Sequence, residues 1–387
     1  MVQMKRVYLD NAATTRIDDE VLDAMMPFLK EEYGNPSSIH SFGKSTKVML
    51  EDTRDSIADF IGSSPKEIFF TGSGTESNNS AIKGIAYKFL NSQKNHIITT
   101  AIEHSAVLDS LKYLESKFNF LVTYLKTDDK GQISFDELSA SVRPETFLIS
   151  IMHSNNEIGI INDIKAVTDL AAINNIFVHT DSVQSIGKTQ FNVKDLNVNS
   201  ATMSAHKIYG PKGISALYIK DKTPVDKFIH GGMQERNMRG GTENIPAVAG
   251  FKKAIEILKK NMQNDISHYI KLKYYLTEKL TIDFGEAVMF NSANENSLPN
   301  IVNISFDKSK LDFDEEMILI KLDLMGVAVS GGSACTAGTH KPSYVLTELG
   351  RDKKTALGSI RISIGRDTTN EDIDFFVDSV KKIIKYS

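Results

Sequence analysis

Cysteine is nearly missing from this chain: among 387 residues there is one, Cys335. A disulfide within the chain is therefore excluded, as are zinc or iron–sulfur centres built wholly from one chain's cysteines. Long apolar runs are missing too. No stretch reaches the roughly 18 residues that a membrane span needs. The segment from Met1 to Thr15 lacks the apolar core of a secretory signal, so a cytoplasmic protein is expected. Nor is there an excess of positive charge, since 45 Lys+Arg stand against 49 Asp+Glu for a formal net charge of -4. That balance gives no electrostatic footprint for nucleic acid or for an anionic membrane surface. Internal repeats and low-complexity tracts are absent. No histidine pair has the spacing of a metal motif such as HExxH, so no metal site within the chain is expected.

What is present is ordinary in amount, with 41% apolar and 24% charged residues. The length suggests two or three domains. The first two-thirds alternate short apolar runs with longer helical patterns. Strands are expected at 68–71, 96–99, 120–124, 147–152, 176–180, 200–203 and 214–219. Helices are expected at 75–90, 105–117 and 164–174. Near-continuous apolar strands alternating with helices predict an α/β fold: a mostly parallel sheet covered by helices on both faces. The last two strands lie too close for a helix between them and are expected to be antiparallel. Beyond about Gly250 the texture changes. A long amphipathic helix over 251–280 precedes strands at 301–305, 327–329 and 360–364 and helices at 314–324 and 370–384. This predicts a smaller α+β C-terminal domain. The division drawn is 17–250 for the large domain, with 1–16 and 251–387 forming the small one.

Ligands of open α/β sheets sit outside the carboxyl ends of the strands, so the residues just after each strand carry the functional information. After Phe70 comes Thr71-Gly72-Ser73-Gly74-Thr75, where small residues and a helix start suit an anion. No Gly-Lys-Ser/Thr follows, which excludes a nucleotide P-loop, and the third glycine of a dinucleotide fingerprint is missing. Successive strand ends then deliver Glu103-His104, Asn155-Asn156-Glu157, Asp181 with Gln184, and Ser204-Ala205-His206-Lys207. Several such groups aimed at one crevice indicate a site. A phosphate cradle, an acid and a lysine are what pyridoxal phosphate requires. Its phosphate needs backbone donors, its pyridine nitrogen a carboxylate, and its aldehyde an amine for a Schiff base. Asp181 fits the carboxylate role and Lys207 the amine.

At these residues the chain resembles the cysteine desulfurases of the NifS/IscS type, within the class V aminotransferase-like, fold-type I pyridoxal phosphate enzymes. The resemblance covers nearly the whole chain. Its most specific segments are His206-Lys207-Ile208-Tyr209-Gly210-Pro211-Lys212-Gly213 and Ser333-Ala334-Cys335-Thr336. Tyr8 to Thr15, Tyr33 to Ser38, Asn155 to Gly159 and Arg239 to Thr242 support them. It implies that Lys207 binds the cofactor and shuttles protons. It places Asp181 on the pyridine nitrogen, Gln184 on the ring 3′-oxygen and His104 over the ring face. Gly74, Thr75, Ser204 and His206 hold the phosphate, and Thr242 reaches the phosphate of a neighbouring subunit in a homodimer. Asn156 and Arg361 orient the substrate, joined by Asn35. Cys335, on a polar glycine-bearing loop, takes the sulfur of L-cysteine as a persulfide, leaving alanine. The longer Ser-Ala-Cys-Thr loop sets the chain with the NifS/IscS group, although Gly332 stands where serine is frequent.

The implied acceptors are an iron–sulfur scaffold protein or a transfer-RNA thiolation enzyme, with Cys335 able to share a cluster ligand position with a scaffold. The alternative reading is a selenocysteine lyase or another class V pyridoxal phosphate aminotransferase or lyase. Arg361 alternates with Ile360 and Ile362 on its strand, so its polar face meets either water or substrate.

Overall fold

The computed structural model describes residues 5–292, 295–332 and 341–386. Seven strands form the main sheet: β1 (Ile68–Thr71), β2 (His96–Thr100), β3 (Leu121–Leu125), β4 (Thr146–Ser150), β5 (Phe177–Asp181), β6 (Ser200–Ser204) and β7 (Ser215–Ile219). Their order is β1-β7-β6-β5-β4-β2-β3. From β6 through β3 every pairing is parallel, while β7 runs antiparallel to both its neighbours. Each residue of β2, β4, β6 and β7 is buried, as a sheet covered on both faces demands. The expected antiparallel pair is present, and β7 inserts between β6 and the edge strand β1.

Helices α1 (Asp19–Lys30), α2 (Ser41–Ile61), α3 (Gly74–Tyr87), α4 (Ser105–Phe118) and α5 (Ile164–Ile173) belong to this part of the chain. The sequence reading had placed no helix at α1 or α2. Both carry clear caps: the Asp18 carboxylate accepts from the Glu20 N–H, and α2 ends at Gly62 in the left-handed region at φ 75°.

Helix α6 (Ile245–Phe284) is a single 40-residue element that runs through the texture change near Gly250. Its first half contributes Ile245, Val248, Phe251, Ile255 and Leu258 to a core shared with the main sheet. Its second half contributes Tyr269, Leu272, Leu276, Leu280 and Phe284 to another. That second core surrounds a three-stranded antiparallel sheet of β8 (Val288–Phe290), β9 (Ile301–Phe306) and β10 (Ile360–Ser363), with β9 central. It also takes in Val7 and Leu9 from the other end of the chain. Val7–Tyr8 pairs in parallel with Val327–Ala328, and the Asn11 N–H donates to the Ser363 carbonyl. The expected helix over 314–324 is shorter, Ile318–Leu324, and α8 (Asn370–Ile383) closes the fold after α7 (Ile318–Leu324). Among the described residues no helix is long and apolar enough to cross a membrane.

Candidate active site

A cavity of about 240 Å³ opens at the carboxyl ends of the parallel strands, where the topology favours a ligand. Its wall unites Gly74, Thr75, His104, Asn156, Asp181, Gln184, Ser204, His206, Lys207 and Arg361. Ten of the residues singled out in the sequence therefore meet in one place. Three do not. Asn35 is exposed and its carboxamide oxygen accepts from the Ser37 N–H. Thr242 is exposed and lines a separate cavity with Arg239 and Glu235. Cys335 lies outside the described residues.

Asp181 closes β5 and is nearly buried. Its Oδ2 accepts from Asn78 Nδ2 at 2.6 Å and its Oδ1 from the Val183 N–H at 3.0 Å. The two bonds fix the direction of the carboxyl group. Asn78 is the clearest residue that the sequence reading left without a role. It lies one turn after Gly74 on α3, on the same helix face, and that i, i+4 spacing was the available signal.

Gly74 is the first residue of α3, behind the N-cap Ser73. The free N–H groups of a first helical turn attract an anion. A Cβ on Gly74 would stand 3.1 Å from Val183 Cγ2 and within 4.0 Å of Ser204 Cβ, so the absent side chain leaves the cradle open. Ser204 Oγ accepts from Ser215 Oγ at 3.0 Å, which leaves the Ser204 hydroxyl hydrogen for a ligand. His206 Nδ1 pairs with Thr14 Oγ1 at 3.1 Å. Burial, with Lys207 and Lys212 nearby, pulls the His206 pKa down to about 4.

Lys207 ends a short 3-10 turn after β6, and its Nζ donates to the carbonyls of Ala12 and Ala13, the latter at 2.8 Å. Gln184 Nε2 donates to the Ala12 carbonyl at 2.9 Å. The N-terminal segment therefore lies across the mouth of the amine. His104 is the N-cap of α4: its Nδ1 accepts from the Ala106 N–H at 3.1 Å. Burial lowers its pKa, Asp181 opposes this, and Lys207 reinforces it. The ring is neutral, and the cap bond places its proton on Nε2.

Arg361, on β10, is only 1% exposed, so the solvated alternative for its polar face is ruled out. It donates to the Asn156 carbonyl at 2.9 Å and to Asp10 Oδ1 at 2.8 Å. Its Nε and the Asn156 Oδ1 are buried and have no hydrogen-bond partner among the described residues. Two unmet polar atoms on one cavity wall form a receptor for a small polar group, and a guanidinium is suited to a carboxylate. The donor set fits pyridoxal phosphate: an anion cradle, a directed carboxyl group, an amine, and a guanidinium at the far side.

The chain matches the class-V aminotransferase family over residues 7–376. It is 45% identical over 383 residues to a protein of Dictyoglomus turgidum named cysteine desulfurase IscS, covering 99% of this chain and 95% of that one. Among solved structures, a NifS-like protein superposes with a TM-score of 0.90 at 39% identity, over 98% of this chain and 99% of the other. A second, described as SspA in complex with cysteine, gives a TM-score of 0.80 at 35% identity, over 92% and 98%.

Proposed function

The chain belongs to the class-V aminotransferase family, within its IscS/NifS cysteine desulfurases, and from that membership we propose the reaction and the residues that perform it. The protein is a pyridoxal-phosphate-dependent cysteine desulfurase. L-Cysteine and the Cys335 thiol give L-alanine and a Cys335 persulfide. The observation that carries this reading is the single cavity in which Lys207, Asp181 and His104 face Arg361 from the second core.

When bound, pyridoxal phosphate supplies an aldehyde that captures an amine and a ring that withdraws electrons from the substrate Cα. The first-turn N–H groups of Gly74 and Thr75, with Ser204 and His206, hold its phosphate. Asp181 would pair with the ring nitrogen, Gln184 would meet the 3′-oxygen, and His104 would hold the ring face. Arg361 binds the substrate carboxylate, with the Nε–H left unmet above as a donor, and Asn156 orients the substrate, its unmet Oδ1 able only to accept. Lys207 Nζ anchors the cofactor, then takes the proton from the substrate Cα. Cys335 thiolate attacks the substrate sulfur: an S–S bond forms, the Cβ–S bond breaks, and its electron pair stays on carbon, which is protonated to give alanine.

The described flanks of the cysteine segment support that last role. Ser343 Oγ donates to Glu157 Oε2 at 2.5 Å, and a Cβ on Gly332 would stand 3.1 Å from the same oxygen. Both flanks therefore meet beside Asn156. Thr242, exposed on this chain, is assigned to the phosphate of a second subunit in a homodimer, and Asn35 to the substrate. The persulfide passes to an acceptor protein, in iron–sulfur cluster assembly or transfer-RNA thiolation.

The test is purified protein with pyridoxal phosphate, L-cysteine and a reductant. Alanine and sulfide should appear in equal amounts. Cys335→Ala should bind the cofactor and release only background sulfide. After borohydride treatment, peptide mapping should find the cofactor's mass on Lys207, and nowhere in Lys207→Ala. A keto acid product in place of alanine would replace desulfuration with transamination, the reading in which Cys335 has no task.

A further inference from the structure

Lys188 is the one buried ammonium in contact with the Lys207 turn that the chemistry above leaves without a task. It is 7% exposed, and its Nζ donates to the Lys207 carbonyl at 3.3 Å. It lies 6.0 Å from the centre of the Tyr209 ring and 5.7 Å from that of Tyr269. Among the described residues no carboxylate oxygen comes within ion-pair distance of it. Burial lowers its pKa to about 8, Arg366 adds to this and Asp265 opposes it. A buried cation without a bonded carboxylate is costly, and an apolar side chain of that volume would fill the space at less cost.

What this cation touches is a strained turn. Tyr209, two residues after Lys207, has φ 64°, a conformation rare for a bulky side chain and maintained only where the surroundings over-determine it. Here they do. The Tyr209 N–H donates to Thr15 Oγ1 at 2.9 Å. Its hydroxyl accepts from the Arg366 N–H at 2.5 Å and shares a hydrogen bond with the Tyr269 hydroxyl at 3.3 Å. The Arg366 guanidinium lies 4.3 Å from the ring centre and is itself held by Asp265 and Asp18. Arg366 follows β10, the strand that carries Arg361.

We propose that Lys188 is a positioning residue: with Tyr209 and Arg366 it locks the turn bearing the Lys207 amine against the segment bearing the Arg361 guanidinium. The inference rests on the reading of Lys207 and Arg361 given above. An amine that takes the Cα proton and a guanidinium that holds the carboxylate of the same small substrate must keep their separation, and a misplacement near 1 Å is enough to cost about a hundredfold in rate.

The experiment compares wild-type, Lys188→Met, Lys188→Arg and Tyr209→Phe, each loaded with pyridoxal phosphate. Lys188→Met should still carry the cofactor on Lys207 after borohydride. Its kcat per bound cofactor should fall by about tenfold or more, with KM for cysteine changed less than kcat. The pH midpoint of its cofactor absorbance should also move, because the amine sits in an altered position. Lys188→Arg should restore most of both. Lys188→Met with wild-type kcat per bound cofactor and an unmoved midpoint overturns the proposal, even if less protein folds. Should Lys188→Met not fold, Tyr209→Phe decides: it keeps the ring and removes the hydroxyl that bonds to Arg366. A lowered kcat with a shifted midpoint supports the coupling, and wild-type values overturn it. Wild-type protein that makes no alanine from cysteine would refute the desulfurase reading instead, and the absorbance midpoint would still report on Lys188.

Discussion

Glu103 stands next to His104 in the chain, and its carboxyl is fully buried. One oxygen accepts from Thr100 Oγ1 at 2.8 Å and from the Met152 N–H at 2.9 Å; the other has no hydrogen-bond partner among the described residues. Burial pushes its pKa up to about 8, overcoming those two bonds, and the charge of Asp181 adds to the rise. The folded protein therefore keeps the Glu103 proton over a range in which the unfolded chain, near 4.5, has lost it. The stability that the neutral form contributes is complete below about pH 4.5 and is lost as pH rises through about 8. Glu103→Gln has the same shape and no proton to lose. From pH 5 to pH 8 the melting temperature of the wild type should fall relative to that of Glu103→Gln. Parallel curves would show that the carboxyl ionises normally in the fold. At this scale the sequence was informative where chemistry announces itself at a strand end, as with Asp181, Ser204 and Lys207. It assigned no role to Asn78 or Lys188, whose partners are distant in the chain, and offered Glu103 only as a polar group beside His104. The one local sign for Asn78 is its i, i+4 spacing from Gly74, and the carboxylate it aims lies 103 positions away.

The elements show the same division. Strand runs were legible because burial on both faces makes them nearly continuous in apolar and small residues, and each expected strand of the main sheet is present within a residue or two. Helix α1 escaped notice because Val21 alone is buried in it, and α2 because its buried face mixes Gly43, Thr46, Thr53 and Arg54 with Leu50, Ile57 and Ile61. Helix α6 was seen, but its two halves serve different cores, which periodicity does not reveal. Its second half offers a direct measurement. Leu276 is completely buried among Phe284, Ile304 and Phe376, whereas Ile282, six residues on, is 73% exposed. Leu276→Ala should lower the unfolding free energy by about 2–5 kcal/mol through lost burial and a residual cavity. Ile282→Ala should change it by roughly 0.5 kcal/mol or less. Urea titrations of both variants test this. Equal effects would mean that the second half of α6 does not pack as described.

At the scale of the whole molecule, the site exists only because two cores meet. The main sheet brings Asp181, Ser204 and Lys207, while Ala12, Ala13 and Arg361 come from segments anchored on the small sheet. Alternating strands and helices made the parallel sheet predictable, but not the insertion of β7 beside β1, nor the return of the N-terminal segment to the Lys207 amine. Those depend on long-range pairing. The same tight closure buries or half-buries histidines around the main sheet. His96, His153, His179 and His206 each have a pKa lowered from 6.5 to about 4, with burial as the largest cause. Hydroxyl groups rather than carboxylates meet three of these rings: His96 bridges Thr146 and Thr123, His153 meets Ser185, and His179 meets Ser150. A depressed pKa works in the opposite sense to Glu103. The stability these rings contribute is complete above pH 6.5 and is lost as pH falls towards about 4. Between about pH 5 and 6, before most carboxylates titrate, unfolding should therefore take up protons, approaching one per ring. The slope of unfolding free energy against pH measures that uptake. Replacing His179 with glutamine should reduce the uptake by about one proton, since the amide cannot titrate. An unchanged slope would show that His179 is protonated in the folded protein, and that the sheet beneath Asp181 is wetter than its packing indicates.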